Sequence, residues 1–176
     1  MGEIGFWILG SITLVASVFA VLFLVGAFLP RSHQVTRSLV LKQSPEAVWQ
    51  VLTDYANVPT WHQHVHKVER LPDRDGHDFW QETYPGDYIL FAETIESLPS
   101  TRLVRTFVDD KGPFRGRWEF ALAANETGCR LSITEVGDIA NPFFRLMFRM
   151  NMKPEFYVEL YLQALAKKFG ESANFV

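Results

Sequence analysis

Residues 44–62 read SPEAVWQVLTDYANVPTWH, and the shape of the soluble part of this chain follows from that stretch. Ser44 can cap a helix, Pro45 suits its first turn, and Glu46 lies where the helix end is positive. Ala47, Val48, Val51 and Leu52 give that helix an inward face. A second short helix or turn is expected over 56–62, broken near Pro59, which has no amide hydrogen to donate. Ahead of the pair, residues 34–42 alternate as a strand does, with Val35, Leu39 and Leu41 among the apolar positions.

Beyond the pair, alternation predicts six more strands, at 65–71, 77–84, 88–98, 102–108, 115–123 and 129–136. The connections are short and rich in turn residues, such as Pro85-Gly86-Asp87 and the run 125–128, which favours an antiparallel meander. A long helix closes the pattern. Asn141 is a good cap and Pro142 fits the first helical position, while Pro154 should kink or restart the helix near Met152. Glu155, Glu159, Gln163 and Lys167 recur every four residues as a wet face; Val158, Tyr161, Leu165 and Phe169 mark the face laid on the sheet.

A strand, two short helices, six antiparallel strands and a long terminal helix form an order that resembles the START-like, or SRPBCC, superfamily of polyketide cyclases/dehydrases and lipid-transport proteins. The resemblance is carried by the quoted segment 44–62, by GPFRGRWEF at 112–120 and by YLQALAKKFGE at 161–171, and it covers the chain after about Gln34. It implies an α+β helix-grip fold: a curved antiparallel sheet of about seven strands around a long C-terminal helix, with an apolar cavity between them. The superfamily includes binders, transporters, cyclases and stress proteins, so the resemblance speaks to fold before activity.

The N-terminal segment lies outside that pattern. Residues 4–30 contain no charged side chain, and a helix of that length is sufficient to cross a hydrocarbon core of about 30 Å. Ser11, Thr13 and Ser17 can bond back to helical carbonyls. The segment Met-Gly-Glu carries no basic residue and the apolar run is long, which argues against a cleaved signal peptide; the lack of a polar face argues against a core helix. The expected organisation is a transmembrane anchor over 1–30 and one domain over 31–176. Arg31, Arg37 and Lys42 follow the span and no Lys or Arg precedes it, which predicts a single-pass protein with its domain in the cytoplasm. The lone Cys129 rules out an internal disulfide framework. With 17 basic against 20 acidic residues and no basic block, nucleic-acid binding has no support.

Three groups of residues can carry chemistry. His62, His64 and His66, two apart, would face one side of an extended chain as a zinc triad does; straddling a helix end and a strand start, they read equally as rim histidines. Glu82, Glu93, Arg105 and Glu135 lie inside strand patterns, where a cavity carboxylate could act as acid or base; alternation equally lets each point outward, with Glu93 and Arg105 as cross-strand partners. The aromatic set Trp61, Trp80, Tyr84, Phe91, Trp118, Phe120, Tyr157 and Tyr161 falls where strands or the terminal helix face inward, as ligand-lining rings would. The apolar cluster 143–148 reads as a cavity lid, a membrane-dipping surface or an ordinary helix face.

The function expected from these features is a membrane-anchored binder of a hydrophobic small molecule or lipid, needing no cofactor, with access through the 109–115 loop or the helix around Pro154. The alternatives are a cyclase or dehydratase using Glu82, Glu135 or Tyr84 as cavity acid or base, and a membrane-recruited module for an unidentified protein partner.

Overall fold

A computed structural model describes residues 2–108, 114–151, 153 and 155–176. Helix α1 (Gly2–Phe28) precedes strand β1 (Ser32–Leu41), helix α2 (Pro45–Thr53) and a 3-10 turn at Tyr55–Thr60. Strands β2 (Lys67–Arg74), β3 (His77–Tyr84), β4 (Tyr88–Leu98), β5 (Arg102–Val108), β6 (Phe114–Asn125) and β7 (Gly128–Ile139) follow, then helices α3 (Pro142–Asn151) and α4 (Phe156–Lys168). The Ser44 hydroxyl accepts the Ala47 amide at 3.3 Å, so the cap read from the sequence is formed. The terminal helix is two helices, α3 and α4; Pro154 lies between them, outside the described residues.

All seven strands join one antiparallel sheet in the order β1-β7-β6-β5-β4-β3-β2. Strands β2 to β7 pair in succession as five hairpins, and β1 pairs with the last strand. At Gly128 the φ of 149° and the approach of the Leu41 carbonyl, 2.2 Å from where a Cβ would stand, leave room only for glycine. The C-terminal tail covers the free edge of β1 through a bridge between Leu39 and Phe175. The core lies between the inner face of the sheet and two helices. Leu39, Leu41, Leu103, Phe120, Leu131 and Ile133 meet Val48 and Leu52 of α2 and Val158, Leu162 and Leu165 of α4. Each such side chain contributes about 1.5–3 kcal/mol by leaving water. Arg37 on β1 fastens the start of α4 through Glu155 at 2.7 Å and Glu159 at 2.8 Å.

The β1–β7 pairing also sets the other end of the molecule. Ser32 pairs with Asp138, so the chain leaving β7 emerges beside the chain arriving from α1. Consequently α3 packs along α1. At Gly26 a Cβ would stand 2.0 Å from the Pro142 carbonyl oxygen, so the approach depends on glycine. The Phe19 and Phe143 rings meet with centroids 6.2 Å apart. Arg145 donates to the Leu29 carbonyl at 2.8 Å, placing a cation at the negative end of α1. The stretch Gly5–Phe28 is long and apolar enough to cross a membrane, and its side chains stand almost wholly exposed.

Candidate functional site

Strand register decides which side chains look inward. Leu39, Leu131 and Leu122 are aligned across β1, β7 and β6 and lie in the core. From them the inner row runs through Glu135, Trp118, Arg105, Thr94 and Ala92 to Trp80, Glu82 and Tyr84. Glu82, Arg105 and Glu135 therefore face the interior, contrary to the outward reading that alternation allowed. Glu93 alone of the four faces out, opposite Thr106, and Arg105 is not its partner.

Arg105 is instead paired with Glu82, two strands away. Its Nη1 donates to Glu82 Oε1 at 2.9 Å, and each side chain is only 7% exposed. The other carboxylate oxygen of Glu82 accepts the Tyr84 hydroxyl at 2.7 Å. Tyr55 lies over the guanidinium, 3.9 Å from ring centroid to Cζ, and its hydroxyl meets that of Thr94 at 3.2 Å. The Nε and Nη2 atoms of Arg105 are buried and find no acceptor among the described residues. Burial, reinforced by the Glu82 charge, pushes the Tyr84 hydroxyl well above its ordinary value, so it stays a donor.

A second network holds Glu135, which is 2% exposed. His33 Nε2 lies 3.1 Å from one of its oxygens and the Trp118 indole donates to the other at 3.0 Å. His33 in turn packs on Phe148 of α3, with centroids 5.4 Å apart. Gly137 makes space for that imidazole, since a Cβ there would stand 2.2 Å from its Cε1.

Between the two networks lies an aromatic cluster centred on Tyr161 of α4. Its ring meets Trp61 at 5.4 Å, Trp118 at 5.4 Å, Phe120 at 5.8 Å and His62 at 5.5 Å. These rings occupy much of the space between sheet and helix. Tyr84 and Tyr161 are half-buried, and burial raises the hydroxyls of both. Burial likewise lowers His62 from 6.5 to about 4, helped by the nearby His64, which leaves a neutral imidazole at pH 7. Away from α1, a recess of about 360 Å³ opens at the far end of the sheet, and Tyr55, Asp78, Thr94 and Glu96 are among its lining residues. Tyr55 and Thr94 thus belong both to the recess and to the polar cluster behind it.

The aromatic set expected from the sequence is brought together in part. Trp61, Trp118, Phe120 and Tyr161 converge; Tyr84 joins the Glu82 pair; Trp80 packs edge-on against Tyr55 at 5.3 Å. Phe91 is on the opposite face, stacked on Phe79 at 5.5 Å, because it lies one residue out of phase with Ala92 and Leu90. Tyr157 stands at the rim, 44% exposed. The histidine triad does not assemble: His62 turns inward, His64 and His66 are exposed, and no three metal-ligating side chains converge among the described residues. Of the access routes expected, through the 109–115 loop or the helix around Pro154, residues 109–113 and Pro154 lie outside the described residues, and Phe114 and Arg115 belong to β6. Tyr55 and His33 escaped the sequence reading. Tyr55 sits in a 3-10 turn with no periodicity to aim it, whereas His33 was legible as the next odd position before Val35 on the inner face of β1.

Similar folds are found among solved structures. The ZhuI aromatase/cyclase from Streptomyces sp. R1128 is 13% identical, with a TM-score of 0.63 over 78% of this chain and 93% of its own. Truncated norcoclaurine synthase from Thalictrum flavum is also 13% identical, with a TM-score of 0.62 over the same shares of the two chains, 78% and 93%. A protein from Mesorhizobium loti is 16% identical, with a TM-score of 0.61 over 78% and 97%. At such identities these likenesses speak to the fold alone. No curated protein matches the chain. Residues 32–170, from the start of β1 to the end of α4 and its closing glycine, match the family described as polyketide cyclase / dehydrase and lipid transport, and the chain belongs to that family.

Proposed function

We propose that this protein is a membrane-anchored binder of a hydrophobic, ring-bearing small molecule or lipid, held between the inner face of the sheet and α4. In this reading residues 1–30 are the anchor and residues 31–176 are the binding domain, on the cytoplasmic side of the bilayer. The observation that carries it is the cluster around Tyr161: the half-buried rings of Trp61 and Trp118 offer flat apolar surface over the buried Phe120, and Tyr84 and Tyr161 are themselves only half-buried. A guest shares this space with the rings by stacking on them, and area leaving water supplies about 25 cal/mol per Å². The Tyr161 hydroxyl, kept protonated by its burial, donates to a polar group on the guest.

Binding is favoured over cyclase or dehydratase chemistry by how the carboxylates are engaged. Glu82 has one oxygen on Arg105 and the other on Tyr84, and Glu135 has one on His33 and the other on Trp118. Each of the four oxygens already has one polar partner, which holds both carboxylates in structural roles. The test is to purify the full chain in nanodiscs and identify extracted compounds by mass spectrometry. A non-bilayer apolar compound, retained by the native protein and lost on Trp118→Ala, is the expected result. Recovery of bulk lipid alone, equally from both proteins, would refute the binder.

A further inference from the structure

We infer that α3 is a second membrane contact, an interfacial helix seated in the same bilayer leaflet that α1 leaves, so that the domain rides on the membrane at a fixed tilt. This rests on the reading of α1 as a membrane span. The β1–β7 pairing places α3 against the C-terminal half of α1, and the Gly26–Pro142 approach together with the Arg145–Leu29 bond fastens it there. A helix fixed beside a span at that level cannot avoid the lipid that surrounds the span.

The chemistry of α3 fits that place. Its ten residues, PFFRLMFRMN, carry only two charges, Arg145 and Arg149, four apart and hence on one side. Phe143 turns to α1 and Phe148 to His33, which leaves Phe144 at 48% and Met150 at 71% exposure. Just beyond, Phe156 is 48% exposed and Tyr157 44%. Apolar side chains this exposed are costly in water, and here they continue the exposed surface of α1, whose Phe28 is 88% exposed. An amphipathic helix with basic and apolar sides lies about 5–10 Å into the boundary between headgroups and acyl chains. The apolar side of α3 faces acyl chains, and Arg149 reaches phosphate.

The experiment uses the full chain in phosphatidylcholine vesicles, with single cysteines labelled by an environment-sensitive dye. Native Cys129 is fully buried and does not compete for the reagent. Positions are Phe19→Cys on α1, Phe144→Cys and Met150→Cys on α3, and Glu126→Cys in the turn at the far end of the sheet. Brominated acyl chains should quench the dye at 19, 144 and 150 and leave 126 unchanged. Quenching at 19 without quenching at 144 or 150 would overturn the inference while leaving the anchor intact. Absence of quenching at 19 would remove the anchor itself, and the inference with it. Native-like tryptophan emission in each variant confirms that the label sits on folded protein.

Discussion

Replacing Arg105 with methionine tests whether the interior charge pair is a structural element of the site. The two side chains are each 7% exposed and 2.9 Å apart, so Arg105→Met leaves Glu82 charged and buried, with the Tyr84 hydroxyl as its remaining partner. Removing one member of a buried pair costs about 3–5 kcal/mol. The Tyr84 bond and the unpaired Nε and Nη2 of the native arginine both place this case at the lower end, about 3 kcal/mol. Glu82→Gln alone should cost a similar amount, because it strands the guanidinium. The double variant, Glu82→Gln with Arg105→Met, removes both charges and keeps an acceptor for Tyr84, so it should recover about 2 kcal/mol relative to the sum of the single losses. Denaturant unfolding of the detergent-solubilised chain, followed by tryptophan fluorescence at pH 7.5, gives all four corners of the cycle. A double variant as unstable as the sum of its parts would refute the pairing argument, as would an Arg105→Met loss below about 1 kcal/mol.

His62 is 6% exposed and lowered from 6.5 to about 4, so the unfolded chain binds its proton more tightly than the folded one. That contributes about 3 kcal/mol of stability, fully present above pH 6.5 and lost as the pH falls toward 4; unfolding curves at several pH values should show this slope in the native protein and not in His62→Gln. Trp118→Phe deletes the indole donor to Glu135 Oε2 and should cost about 1–3 kcal/mol, read as a lowered Tm, since the ring packing on Tyr161 is largely kept. Gly26→Val puts a side chain where the Pro142 carbonyl oxygen stands, and should separate α1 from α3, measured as lost cross-linking between cysteines at 19 and 143; Gly10→Val, with open space around it, should leave cross-linking unchanged.

The difference between what was legible and what was not is visible in particular residues. The Ser44 cap, the succession of hairpins from β2 to β7 and the split of the terminal helix all depend on neighbours within a few positions, and local chemistry stated them in advance. The apolar run over α1 is legible for the same reason. Side-chain direction is another matter. Phe91 and Ala92 differ by one position, and only the register with β3 and β5 tells which of them faces the helix. Arg105 carries no sign in the sequence that its partner is Glu82 rather than Glu93, because the pairing crosses β4. The three histidines share a spacing but not a regular backbone conformation: residues 61–66 are turn and irregular chain rather than a strand, so the spacing does not make them converge.

By itself the sequence determined an α+β domain behind one long apolar helix, because hydrophobic period, caps and turn residues act over short distances along the chain. Only the tertiary structure decided which acids lie inside, which rings meet Tyr161 and that α3 lies against α1. Those facts depend on contacts between residues far apart in the chain: the register of β3 to β6 turns Glu82 and Arg105 inward, and the pairing of β1 with β7, across nearly a hundred residues at Ser38 and Ser132, brings α3 to α1.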